Sequence, residues 1–298
     1  MKNYKSLHGV IVPLVTPFNE QNQIDFEGLR NVVDFVVEKG VHAVMIGGTT
    51  GEGMLLNLDE RKKLLEVIID QVNGKIPVIA HTGCIDTGSS VELTKHASLH
   101  GADFISAITP YFFTLTDDQI YDHFMSVSEA AHSIPMLLYT FPGNAKNDIS
   151  PSLLKRLLKT GSNIIGIKSS NADLIRFQDY VNVGGKGFSS CFGVDELMLG
   201  GLVFGSNAQI SGNANSFPEP FIKLYEAFSA GNLLLAQELQ QTVNAIVDLH
   251  KAGRTPAYFK ATLKLRGIPA GYVRAPMCEL SSKEVDEVKK KVKLLDLI

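Results

Sequence analysis

Residues 42–81 read "HAVMIGGTTGEGMLLNLDERKKLLEVIIDQVNGKIPVIAH". Two short apolar runs, "HAVMIG" and "IPVIAH", flank the amphipathic segment "DERKKLLEVIIDQV", for which Asp59 is the expected helix cap. The flanking runs do not alternate apolar with polar residues, as parallel strands covered on both faces do not. The stretch therefore predicts one strand–helix–strand unit. Its rhythm continues in both directions through "GVIVPLV" from Gly9, "ADFISAI" from Ala102, "IPMLLY" from Ile134, "NIIGIK" from Asn163, "GFSSCF" from Gly187 and "NAQISG" from Asn207. "DDQIYDHFMSVSEAA" is a second helical pattern, with Asp117 as its expected cap.

Eight such units predict an α/β fold, a closed (β/α)8 TIM barrel of the usual ~250-residue size. A doubly wound dinucleotide-binding sheet needs GxGxxG after its first strand, and here that strand runs into "PLVTPFNEQNQ". Strand signal ends near Phe217. "FPEPFIKLYEAFSAG" is then the last barrel helix, and three further helical patterns follow. The expected division is a barrel catalytic domain over residues 1–230 and a helical C-terminal extension over residues 231–298. Within the extension, "KEVDEVKKKVK" is a solvated helix face with Glu/Lys pairing.

Of the 298 residues, 45% are hydrophobic and 20% charged, the balance of a folded globular chain. A net charge of −3 gives no reason to expect nucleic acid or an anionic membrane as partner. No apolar run approaches the roughly 18–20 residues that span a bilayer. Pro13 and Pro17 interrupt the apolar stretch near the start, against a signal peptide. Cys84, Cys191 and Cys278 are scattered without a CxxC pair, so the expectation is reduced, buried thiols in a cytoplasmic protein.

Barrel active sites gather at the C-terminal ends of the strands. Lys168 ends the sixth strand and Tyr139 the fifth, and neighbouring parallel strands lie about 4.8 Å apart, so the two side chains are expected to converge. Gly166 shares the side-chain parity of Lys168 and is expected to leave it room. Burial of an amine disfavours its charged form and leaves a nucleophile able to form a Schiff base with a ketone. A phenol beside it can carry protons. After the second strand, "GGTTGEG" offers free backbone N–H groups and the Thr49 and Thr50 hydroxyls to a small anion near a helix N-terminus, without the Gly-Lys-Ser/Thr of a phosphate loop. His96 and His100 in "HASLH" read as a surface pair, because no glutamate follows the first histidine and the helix is remote from the strand ends.

"GGTTGE", "LYTFPG" and "IIGIK", in this order, resemble the dihydrodipicolinate synthase/N-acetylneuraminate lyase family of pyruvate-handling class I aldolases. "VIAHTG" (78–83), "ITPYF" (108–112), "ISGNAN" (210–215) and "GYVRAPM" (271–277) extend the resemblance across nearly the whole chain. It implies a (β/α)8 barrel with a helical extension, commonly a homotetramer. Lys168 matches the Schiff-base lysine, Tyr139 the catalytic tyrosine, and Thr49 and Thr50, with Gly48, the turn beside the pyruvyl carboxylate. Ile210 matches a residue whose backbone approaches the same site. No metal or nucleotide is implied; the covalent imine on Lys168 serves instead.

Departures from the synthase branch steer the substrate reading. Asn144 stands where that branch carries an arginine for the second substrate's carboxylate, and Lys146 nearby offers a point charge without arginine's bidentate fork. Phe112 replaces a tyrosine that reaches the neighbouring subunit's site. Ser170, Asp195 and Glu196 resemble the sugar-acid branch, whose acceptors suit a polyol. Asn207 and Thr140 complete the expected substrate contacts. The expectation is cleavage of a 2-keto-3-deoxy sugar acid or a related 4-hydroxy-2-oxo acid to pyruvate and an aldehyde. The alternatives are condensation of pyruvate with aspartate semialdehyde, dehydration of a deoxy-keto sugar acid, and a non-catalytic keto-acid sensor.

Overall fold

The computed structural model of the chain describes residues 6–161, 163–253 and 255–297. The eight expected strands form, in chain order, β1 (Gly9–Pro13), β2 (Ala43–Ile46), β3 (Val78–His81), β4 (Phe104–Ile108), β5 (Met136–Thr140), β6 (Ile164–Ser169), β7 (Ser189–Phe192) and β8 (Ala208–Ile210). All pair in parallel, and β8 returns to β1 to close the barrel. Ile11, Met45, Ile79, Phe104, Leu137 and Ile210 pack together inside. Their strand neighbours Val10, Val12, Val44, Ile105 and Leu138 face the helices. Both faces are dry, which explains the missing polar alternation: each buried aliphatic side chain contributes roughly 1.5–3 kcal/mol.

One irregularity matters to the site. Between β5 and β6 the register runs Met136↔Ile164, then Leu137↔Gly166, so Ile165 is an extra residue on β6. This bulge brings Tyr139 opposite Lys168 rather than Ile167.

The helix Leu58–Val72 is capped by Asn57 in a reciprocal box with Glu60, and Asp117–Ala130 by Thr116 with Gln119. This corrects the expectation for Asp59 and Asp117. Both lie inside the first turn, where a carboxylate still complements the helix dipole. After Pro218–Ser229 come Leu233–Leu249, Pro256–Leu265 and Ser282–Leu294. These helices contribute Val243, Leu263, Val288 and Val292 to the same buried cluster as the barrel. No helix among the described residues is long and apolar enough to cross a membrane. Cys84 and Cys191 are buried thiols; Cys278, expected buried, is exposed.

Candidate active site

The end of β6 delivers Lys168 into the barrel mouth, where its Nζ stands 4.0 Å from the centroid of the Tyr139 ring. Both residues are buried, at 7% and 2% exposure. Ser170 Oγ donates to the Tyr139 hydroxyl at 3.4 Å. The room for the lysine comes from Gly193, not from Gly166 as expected. A Cβ on Gly193 would meet Ser170 Oγ at 2.5 Å and Lys168 Cε at 3.3 Å, whereas one on Gly166 would meet the β7 carbonyl of Ser189 at 2.3 Å. Gly166 thus permits close strand approach at the bulge.

These groups open into a cavity of about 510 Å³ that is also lined by Gly48, Thr49, Thr50, Asn144, Asp195, Glu196 and Ile210. The volume suits a small metabolite. The turn holding the threonines is closed on itself: Gly53 N–H donates to Gly48 O at 3.0 Å and Glu52 N–H to Thr49 O at 3.1 Å. A Cβ on Gly53 would lie 1.9 Å from Gly47 O, so only glycine fits there. The long helix begins only at Leu58, after the short turn Gly53–Leu55, so its N-terminus is not part of this loop. Thr50 Oγ1 approaches the backbone beyond β8, 3.0 Å from where a Gly212 Cβ would stand.

Asp195 lines the cavity, yet its carboxylate accepts from Gln209 Nε2, Ser211 Oγ and Asn213 Nδ2, each at 2.6 Å. Burial pushes its pKa up to about 6 against the pull of these bonds. It braces β8 and the turn after it. Asp195→Ala is therefore expected to destabilise the fold by about 2–4 kcal/mol, since three buried donors lose their acceptor; urea unfolding measures this. Glu196 stands exposed at the cavity wall.

Two expected contacts are corrected. Thr140 is one step from Tyr139 and so faces away from the cavity; its hydroxyl donates to Asp148 Oδ1 at 2.5 Å. Asn207 precedes β8 and sits at the opposite end of the barrel, where its Oδ1 accepts from Ser190 N–H at 2.8 Å. Asn144 lines the cavity; Lys146 is exposed and does not. Phe112 is also outside the cavity, at 72% exposure. His96 is half-buried rather than a free surface residue: its Nε2 lies 3.2 Å from Glu66 Oε1, and its ring stacks on His100 at 3.9 Å.

Sequence reasoning missed two features. Glu52, inside the quoted turn, forms a fully buried ion pair with Lys260, Nζ to Oε1 at 2.5 Å. Burial pushes the Glu52 carboxyl up and pulls Lys260 down to about 8, each opposed by its partner's charge. The pair spans 208 residues, so no local pattern signals it. The second is His81 at the end of β3, whose ring packs edge-on to Tyr139 at 5.9 Å. Burial first, then the Arg61 and Lys168 charges, hold it well below the usual imidazole range, so it stays neutral.

Comparison with known proteins identifies the family. Residues 6–295 match the dihydrodipicolinate synthetase family. The 4-hydroxy-tetrahydrodipicolinate synthase of Methanopyrus kandleri is 34% identical, over 98% of this chain and 97% of its own. That of Oceanobacillus iheyensis is 31% identical over 94% of each chain. The sialic acid aldolase of Ruminococcus gnavus superposes with a TM-score of 0.93 at 29% identity, covering 97% of both chains. A match that spans nearly every residue of a barrel with this topology makes the chain a member of the dihydrodipicolinate synthetase family.

Proposed function

We propose that this class I carbon–carbon lyase forms an imine between Lys168 and pyruvate and joins it reversibly to a neutral, hydroxylated aldehyde. The Lys168 amine adds to the C2 carbonyl and water leaves. The cationic imine then lets C3 lose a proton to give the enamine, which bonds to the aldehyde carbon; hydrolysis frees the 2-oxo acid and the amine. Cleavage is the same path reversed. Tyr139 carries protons to and from the imine centre and the new hydroxyl, while Thr49 and Thr50 orient the pyruvyl carboxylate. The enzyme needs no metal on this path, and its working form is a homo-oligomer.

The observation that carries the aldehyde reading is the cavity wall. Asn144 stands where the synthase branch has arginine, and the Glu196 carboxylate faces the same space. A second carboxylate on the incoming aldehyde would meet an acidic group and no guanidinium, whereas hydroxyls find acceptors. The names of the curated relatives weigh the other way. The Methanopyrus and Oceanobacillus proteins are both named 4-hydroxy-tetrahydrodipicolinate synthases, and those names support the alternative in which this chain condenses pyruvate with aspartate semialdehyde. A panel of glyceraldehyde, longer aldoses and aspartate semialdehyde with pyruvate discriminates the two readings. At least about a tenfold higher kcat/KM for a neutral aldehyde is expected, a difference of about 1.4 kcal/mol. Preference for the semialdehyde would establish the synthase reading instead.

A further inference from the structure

The buried pair Glu52–Lys260 lies outside the chemistry just described, yet it meets the substrate turn directly. Glu52 is two residues beyond Thr50 and adopts a left-handed backbone, φ 57° and ψ 28°. A non-glycine residue holds that conformation only when its surroundings demand it. Here both carboxylate oxygens are anchored from the C-terminal region: Oε1 accepts from Lys260 Nζ, on the helix Pro256–Leu265, at 2.5 Å, and Oε2 from the Arg274 N–H, in the connection after that helix, at 2.8 Å. Lys260 also donates to Tyr272 O at 2.6 Å, and its ammonium sits 4.8 Å from the Phe18 ring centroid.

Arg274 completes the clamp on the far side of the turn. Its guanidinium donates to Leu55 O at 3.0 Å and grips both oxygens of Glu60, at 2.8 and 2.7 Å. Thus the chain directly after the two threonines is held at Glu52, Leu55 and Glu60 by residues more than 200 positions away in sequence. The same helix supplies Phe259, and the connection after it Met277, to the cavity wall. A surface ion pair could not impose such a constraint, but a fully buried one has no water to exchange with and keeps one geometry.

We propose that Lys260 and Glu52 are positioning residues which hold Thr49 and Thr50 against the substrate carboxylate, so that the C-terminal helices set the affinity of the barrel for pyruvate. This rests on the reading that the threonine turn binds that carboxylate.

The test is the full-length double variant Glu52→Gln/Lys260→Met, which removes both charges at once and strands neither. Thermal unfolding, pyruvate KM, kcat and borohydride-trapped pyruvate on Lys168 are measured together. The expected result is a cooperative fold with pyruvate KM raised about tenfold or more, kcat falling less than KM rises, and trapping restored by excess pyruvate. A folded variant with KM within about twofold of the parent overturns the proposal. Should the double variant not fold, Glu52→Asp keeps the charge and retracts the carboxylate by one methylene. A raised KM there supports the role, and an unchanged KM refutes it. If the parent itself traps no pyruvate, the underlying functional reading falls and this inference with it. If the parent traps pyruvate and the variants bind it equally well, only the positioning role is lost.

Discussion

Lys168→Ala is expected to abolish the pyruvate adduct trapped by borohydride and to lower turnover on the order of 10⁵-fold or more, the scale of removing a covalent nucleophile. The amine stands in the barrel mouth beside Tyr139, in a cavity whose lining includes no second lysine among the described residues. Another amine is therefore not placed to take over. Mass spectrometry of the reduced protein is the direct measurement. The parent should gain the mass of a reduced pyruvyl group on the peptide containing Lys168, and the variant should not. The fold should survive, because the space released is bounded by the open cavity rather than by packed core. Equal labelling of the variant would transfer the covalent role to another residue and end the mechanism as written.

Tyr139→Phe is expected to keep imine formation and lose about 10²–10⁴-fold in kcat, the usual yield of a positioned acid–base group. A loss of about 10³ corresponds to roughly 4 kcal/mol of transition-state stabilisation. Phenylalanine preserves the ring that packs on Lys168 Nζ at 4.0 Å and on His81 at 5.9 Å. Only the hydroxyl that accepts from Ser170 Oγ disappears. Pyruvate trapping on Lys168 should persist while aldehyde turnover collapses, which separates this variant from Lys168→Ala in a single pair of assays. Turnover near that of the parent would contradict the proton-transfer role.

The residues that were legible in advance share one property: each follows from a local pattern. Unbroken apolar runs separated by amphipathic helices predicted the barrel, and the strand-end rule predicted Lys168 and Tyr139 side by side. The alternation of side chains along a strand corrects Thr140, because adjacent residues on a strand face opposite sides. Asn207 is excluded for a different reason. It precedes its strand, and with all eight strands parallel the start of β8 lies at the end of the barrel opposite the strand C-termini that form the site.

What the linear chain determined by itself is the order of elements, the dry faces of every strand and the glycine-rich turn, since hydrophobic period and backbone freedom are local properties. Tertiary structure alone decided three things. The bulge at Ile165 set the register that puts Lys168, already expected near Tyr139, directly opposite it. The pairing of β8 with β7 gathered Asp195, Gln209, Ser211 and Asn213 into one bonded group. The return of the C-terminal helices paired Lys260 with Glu52. Each depends on the through-space approach of segments far apart in sequence, and the energy that selects such contacts, desolvation repaid by a partner, exists only once both are buried.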